Sequence, residues 1–184
     1  THIVASMVRF KDGVPDRASY RRYRIRTVKG QDDFASMAEV VRRRYAHLLA
    51  AARAAHPDAA EFSQEDAGDA VARLELPPGA QLPDLIIVDG GRGQLSSARG
   101  ELVRLGMRGQ AVVGLAKEHE EVFFPDNPEP LRLPHESGAL QLLQRIRDEA
   151  HRVANGYNNC SCAAASPRAC STTWRSSSAR PSLS

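Results

Sequence analysis

The sequence predicts an α/β domain, a mixed sheet flanked by helices. Three observations point there. Leu82 to Leu95 (LPDLIIVDGGRGQL) followed by AVVGLA at Ala111–Ala116 reads as strand, acid, glycine turn, helix and second strand. Thr1 to Thr27 reads as antiparallel strands around a Lys11-Asp12-Gly13 turn. Two amphipathic stripes, one from Phe34 to Ala52 and one after Ser137, supply helices to cover the sheet.

The stretch at Leu82 organises the rest. Leu85-Ile86-Ile87-Val88 is an unbroken apolar run rich in β-branched residues, the pattern of a strand buried on both faces in the middle of a parallel or mixed sheet. Asp89 follows at its carboxyl end. Gly90-Gly91-Arg92-Gly93 turns the chain, and Leu95, Ala98, Leu102 and Leu105 recur at helical spacing. Strand, helix and the Ala111–Ala116 strand form a right-handed crossover with parallel strands. Ligands of open α/β sheets collect outside the carboxyl ends of such strands. Lys117, at the end of the second strand, lies in the same layer as Asp89.

Thr1 to Phe10 alternates with Ile3, Ala5 and Met7 on one side, and it begins as if cut from a longer chain. Ser19 to Thr27 places Arg21, Tyr23 and Ile25 on one face and Tyr20, Arg22, Arg24 and Arg26 on the other, which suits an exposed edge. Asp33 stands at the N-cap of the next helix. Met37, Val40, Val41, Tyr45, Leu48, Leu49 and Ala52 form its apolar stripe, and Arg42, Arg43 and Arg44 a basic girdle on its polar flank. From Arg53 to Gln81 the pattern weakens to a surface insertion. Glu120–Phe124 and Leu131–Leu133 make a small hairpin around Pro125–Pro128. The last helix turns Ala139, Leu143, Ile146, Ala150 and Val153 inward and Gln144, Arg147, Asp148 and His151 outward, with Gly156 as its stop.

Residues 1–157 form the domain. From Asn158 the composition becomes Ser, Ala and Arg without periodicity, which predicts a disordered tail and suggests a reading-frame change. The tail also decides the charge. The chain has 25 basic and 22 acidic residues, and the tail holds Arg168, Arg175 and Arg180 with no acid. The body is therefore neutral, and its bulk charge is no argument for nucleic-acid binding. All three cysteines, Cys160, Cys162 and Cys170, also lie in the tail. They match no familiar zinc spacing, and a cysteine-free body fits a reducing cytoplasm. No stretch reads as a membrane span, so no membrane partner is expected.

Metal-dependent phosphodiester cleavage needs carboxylates on a rigid frame. Asp33, Asp89, Asp148, Glu149 and His151 are the candidates. Local sequence leaves alternatives open. Asp89 reads equally as a cap for the following helix, Asp33 as an N-cap, and His151 and Lys117 as solvated surface groups. Arg42, Arg43 and Arg44 read as a solvated face before a phosphate-binding patch. A phosphatase-like α/β domain resting on Asp89 alone would want an acid where Gly91 stands.

The blocks VASMVRF, YRRYRI, GQDDFASMAEVVRRRY, PDLIIVDGGRGQL, VVGLAK and LLQRIRDEAHRVANGYN, in that order, resemble the C-terminal nuclease half of the bacterial excinuclease subunit UvrC family. The resemblance covers Thr1 to Asn158 apart from the 53–81 insertion. It implies a ribonuclease-H-like fold and the incision 5′ of a lesion in damaged double-stranded DNA, after the damage search by UvrA and UvrB. It implies a divalent metal, Mg²⁺ or Mn²⁺, with Asp89 and His151 as metal-binding catalytic residues and Asp33 as a further acid. It also implies a first catalytic Asp on a strand upstream of Thr1, central between Thr1–Phe10 and Leu85–Val88. That motif is absent here, as are the helix–hairpin–helix module and the N-terminal half that meets UvrB. This chain alone is therefore expected to be inactive and prone to associate through unpaired sheet edges. The competing class is a non-catalytic nucleic-acid or protein-binding module on the same frame.

Overall fold

A computed structural model describes residues 4–28, 32–55, 81–117 and 120–163, with side chains to residue 156 in the last helix. The 53–81 insertion and the tail from Asn158 fall almost wholly outside the described residues.

β1 (Val4–Met7) pairs antiparallel with β4 (Arg21–Arg24), Ala5 opposite Tyr23. Between them β2 (Phe10–Lys11) and β3 (Val14–Pro15) close a hairpin over Asp12 and Gly13, both at positive φ as a two-residue turn requires. A 3₁₀ turn, Arg17–Ser19, leads into β4. The inward residues Tyr23 and Ile25 pack with Val40, Ala5 and Met7, and the intervening arginines are exposed.

α1 (Asp33–Ala55) buries Val41, Tyr45, Leu48, Leu49 and Ala52 in the main core and Val40 in the β1–β4 core. The expected stripe therefore serves two layers. Its cap differs from expectation. The Asp32 carboxylate accepts the Ala35 N–H at 2.9 Å, and Asp33 is the first helical residue, exposed. The arginine girdle also breaks up. Arg44 is 8% exposed, Arg43 bonds back to the Arg24 carbonyl and Glu39, and Arg42 points to solvent.

β5 (Ile86–Asp89) runs parallel to β6 (Val112–Ala116), with Val88 opposite Gly114 and Asp89 opposite Leu115. α2 (Arg92–Arg104) crosses between them and buries Leu95, Ala98 and Leu102 against α1. β7 (Glu121–Phe123) and β8 (Leu131–Arg132) complete a four-stranded sheet in the order β5-β6-β7-β8. The sheet is mixed, as the sequence predicts. β5, however, is its outer strand among the described residues, with Leu85 exposed and Ile86 and Ile87 half-buried. Nothing in the sequence of β5 marks that edge, because the run is apolar whichever neighbour is present.

α3 (Gly138–Ala163) lies across both sheets. Leu143 packs on the Val113, Leu115 and Val122 cluster, and the Ser6 hydroxyl of β1 donates to the Ala150 carbonyl at 2.7 Å. Its buried face keeps the expected Leu143 and Val153 but differs at its start and on one flank. Leu140 is fully buried and Ala139 exposed, while Arg147 is 8% exposed and bonded to Glu120 at 2.8 Å. The helix backbone continues through Gly156 to Ala163 rather than stopping there.

Candidate active site

Asp89 ends β5, and the turn after it is built on backbone. Gly90 takes φ 151°, open to glycine, and a Cβ there would meet Gln94. Gly91 is the N-cap of α2 and gives it no side-chain hydrogen bond. The Asp89 carboxylate does not cap this helix. Its Oδ2 lies 2.5 Å from Nε2 of His151 on α3, both side chains being about two-fifths exposed, at 42% and 41%. Residues 62 positions apart are thus brought together at the carboxyl end of the parallel strands.

The other candidates stand apart from this pair. Among the described residues no group of three or more His, Cys, Asp or Glu side chains is gathered in one place. Asp33 opens α1 next to Phe34, whose ring lies where a Cβ on Gly93 would be. The start of α1 is thereby brought to the first turn of α2. Asp148 is exposed and within 3.4 Å of Arg147. Glu149 turns the opposite way from His151. Its carboxylate accepts the Tyr20 hydroxyl at 2.9 Å and two bonds from Arg152 at 2.7 Å each. Arg152, opposed by burial and helped by Tyr20, holds the Glu149 pKa down at about 2. Burial first and this hydrogen bond second push Tyr20 up to about 12. Lys117 follows β6 and is exposed. Arg92, at the head of α2, carries its guanidinium 5.5 Å above the Phe123 ring.

Sequence reasoning missed Tyr20, Glu120 and the inward Arg147. Each partner is far away in the chain, 129 residues for Tyr20 and Glu149 and 27 for Glu120 and Arg147, so no local pattern announces it.

A carboxylate oxygen and an imidazole nitrogen on an open strand end are donors that divalent ions accept. They fit part of such a site. Adjacent ligands of an octahedral ion stand roughly 3 Å apart, so the present contact would have to lengthen slightly. The remaining positions would fall to water, to a substrate phosphate or to further donors.

An acid at the end of a parallel strand, met by a histidine from the last helix across a mixed sheet, fits the ribonuclease-H-like α/β class that the family match below establishes. Residues 1–154 match the family model described as the UvrC RNAse H endonuclease domain, and the chain belongs to that family. The UvrABC system protein C of Dehalococcoides mccartyi is 49% identical over 158 residues, covering 86% of this chain and 22% of that protein. The proteins of the same name from Parafrankia sp. and Methanosarcina barkeri are 48% and 46% identical, each over 86% of this chain and over 24% and 25% of their own lengths. The chain spans about a quarter or less of the curated relatives it matches.

Proposed function

We propose that this domain contributes Asp89 and His151 to a metal-dependent phosphodiester-cleaving centre, which makes the 5′ incision at damaged double-stranded DNA in the cytoplasm as part of a UvrABC-type excision system. UvrA and UvrB are the partners in that reading. The observation that carries it is the meeting of the Asp89 carboxylate and the His151 imidazole at the strand ends.

A bound Mg²⁺ or Mn²⁺ would lower the pKa of a water and neutralise the departing oxygen. Asp89 would supply a carboxylate oxygen for it from the end of β5, which the ladder to β6 holds on one side. His151 meets Asp89 through Nε2, the nitrogen that would hold a proton against the carboxylate or, with a metal bound, serve as its ligand. In this reading Asp33, exposed at the start of α1 and apart from the pair, is a further acid that would act on the bound substrate or its metal rather than through contact with Asp89 or His151. Arg42 and Lys117, both exposed, are the cations left to meet phosphates from the set that also included Arg43 and Arg44. With two protein donors in contact and no third among the described residues, the chain by itself is expected to be inactive.

The test is a chimaera in which residues 1–157 replace the matching block of the Dehalococcoides mccartyi relative. With UvrA, UvrB and Mg²⁺ it should incise a lesion-bearing duplex on the 5′ side. Asp89→Ala and His151→Ala should each lower that rate by roughly a hundredfold or more. Incision unaffected by both substitutions would refute the assignment. A chimaera that binds the complex but never cuts would favour the non-catalytic binding module.

A further inference from the structure

One turn of α3 touches three separate pieces of the fold. Glu149 accepts from Tyr20 just before β4, the Ala150 carbonyl accepts from Ser6 in β1, and His151 reaches Asp89 on β5. The first two contacts belong to the β1–β4 sheet, and the third to the β5–β8 sheet. Successive helical residues turn by about 100°, so Glu149 and His151 project to nearly opposite sides of the helix. The turn is thus gripped on one side and presents its imidazole on the other.

That grip controls rotation. A side-chain tip sits about 6 Å from the helix axis, and a roll of about 10° moves it by about 1 Å. The apolar contacts of α3 tolerate so small a roll. Directional bonds at 2.7 and 2.9 Å do not. Glu149 is 14% exposed and shares its two oxygens between Tyr20 and Arg152, so the acceptor is itself fixed.

We propose that Tyr20 and Glu149 are positioning residues: their hydrogen bond sets the roll of α3 that delivers His151 to Asp89. This rests on the functional reading only for its effect on catalysis. The placement of His151 is testable without metal, DNA or partner proteins. In the 184-residue chain, imidazole ¹H–¹⁵N spectra of Tyr20→Phe and Glu149→Ala should move the His151 signals toward those of Asp89→Ala. Signals of His47 and His135, carried elsewhere, should stay in place. Glu149→Gln keeps an oxygen acceptor for Tyr20 and should retain the parent His151 signals.

In the chimaera, Tyr20→Phe should lower kcat roughly ten- to a hundredfold with KM unchanged, the scale of a 1 Å misplacement. His151 signals that stay at their parent positions in both Tyr20→Phe and Glu149→Ala would overturn the proposal. So would global unfolding of either variant, since the contact would then support the whole fold rather than one side chain. A chimaera that fails to cut at all bears on the proposed function, and the spectra still decide the positioning role.

Discussion

Glu39 shows how a single buried acid can fasten two elements. It is 2% exposed and accepts from the Arg26 and Thr27 amides, the Thr27 hydroxyl and Arg43. Burial alone would raise its pKa. The Thr27, Arg26 and Arg43 hydrogen bonds outweigh that and lower it from 4.5 to about 2. A depressed folded-state pKa stabilises the fold above the unfolded value, and that stabilisation fades as pH falls from about 4.5 toward 2. Urea midpoints measured across that window should fall less steeply in Glu39→Gln than in the parent, because the variant has no proton to bind there. Glu39→Ala should cost about 3 kcal/mol at neutral pH by orphaning the amides at the end of β4. The sequence hides this residue. Glu39 sits in a helix between Ala38 and Val40 and looks like any solvated glutamate until the β4 end is laid against it.

At the scale of the elements, what the sequence discloses is what depends on local periodicity. The α1 stripe, the Leu95-Ala98-Leu102 stripe of α2 and the β5–α2–β6 crossover were all legible, because apolar spacing alone orients them. Leu143 and Val153 of α3 meet the core as expected, and the miss lies beside them. Leu140 outcompetes Ala139 for the core, and Arg147 enters it because Glu120 waits there. The meeting of Asp89 with His151 was legible only through the resemblance, since neither residue's neighbours specify the other. The β5–α2 turn also sets a demand on β6. A Cβ on Gly114 would stand 2.8 Å from the Gly90 carbonyl oxygen, a backbone atom with little room to yield. Gly114→Ala should therefore destabilise the fold by about 2 kcal/mol, read as a lower urea midpoint with an unchanged slope.

Across the whole molecule, the β1–β4 and β5–β8 sheets share no strand pairing among the described residues. Ile86 and Gly90 donate their amides to the β6 side, at Ala111 and Leu115. Alternation along a strand then sends the Ile87 and Asp89 amides to the outer edge. Hydrogen exchange should be slow at Ile86, Val88 and Gly90 and fast at Ile87 and Asp89. Equal protection along β5 would mean that the edge is covered in solution, by a second copy or by other chain. The apolar run of β5 does not disclose this edge, because pairing partners are a property of the assembled sheet; the resemblance did, since it sets a further strand between Thr1–Phe10 and Leu85–Val88.

The double duty of α1 carries a consequence for how the molecule can be divided. Its Val40 belongs to one core and its Val41, Tyr45 and Leu48 to the other, so the first 55 residues hold apolar surface that only the remainder can cover. Produced separately, segments 1–55 and 81–184 should each be poorly folded and should recombine on mixing, the Asp89–His151 contact returning only in the complemented pair. The Asp89–His151 pair lies wholly within the second segment, yet its geometry would be conferred by the first.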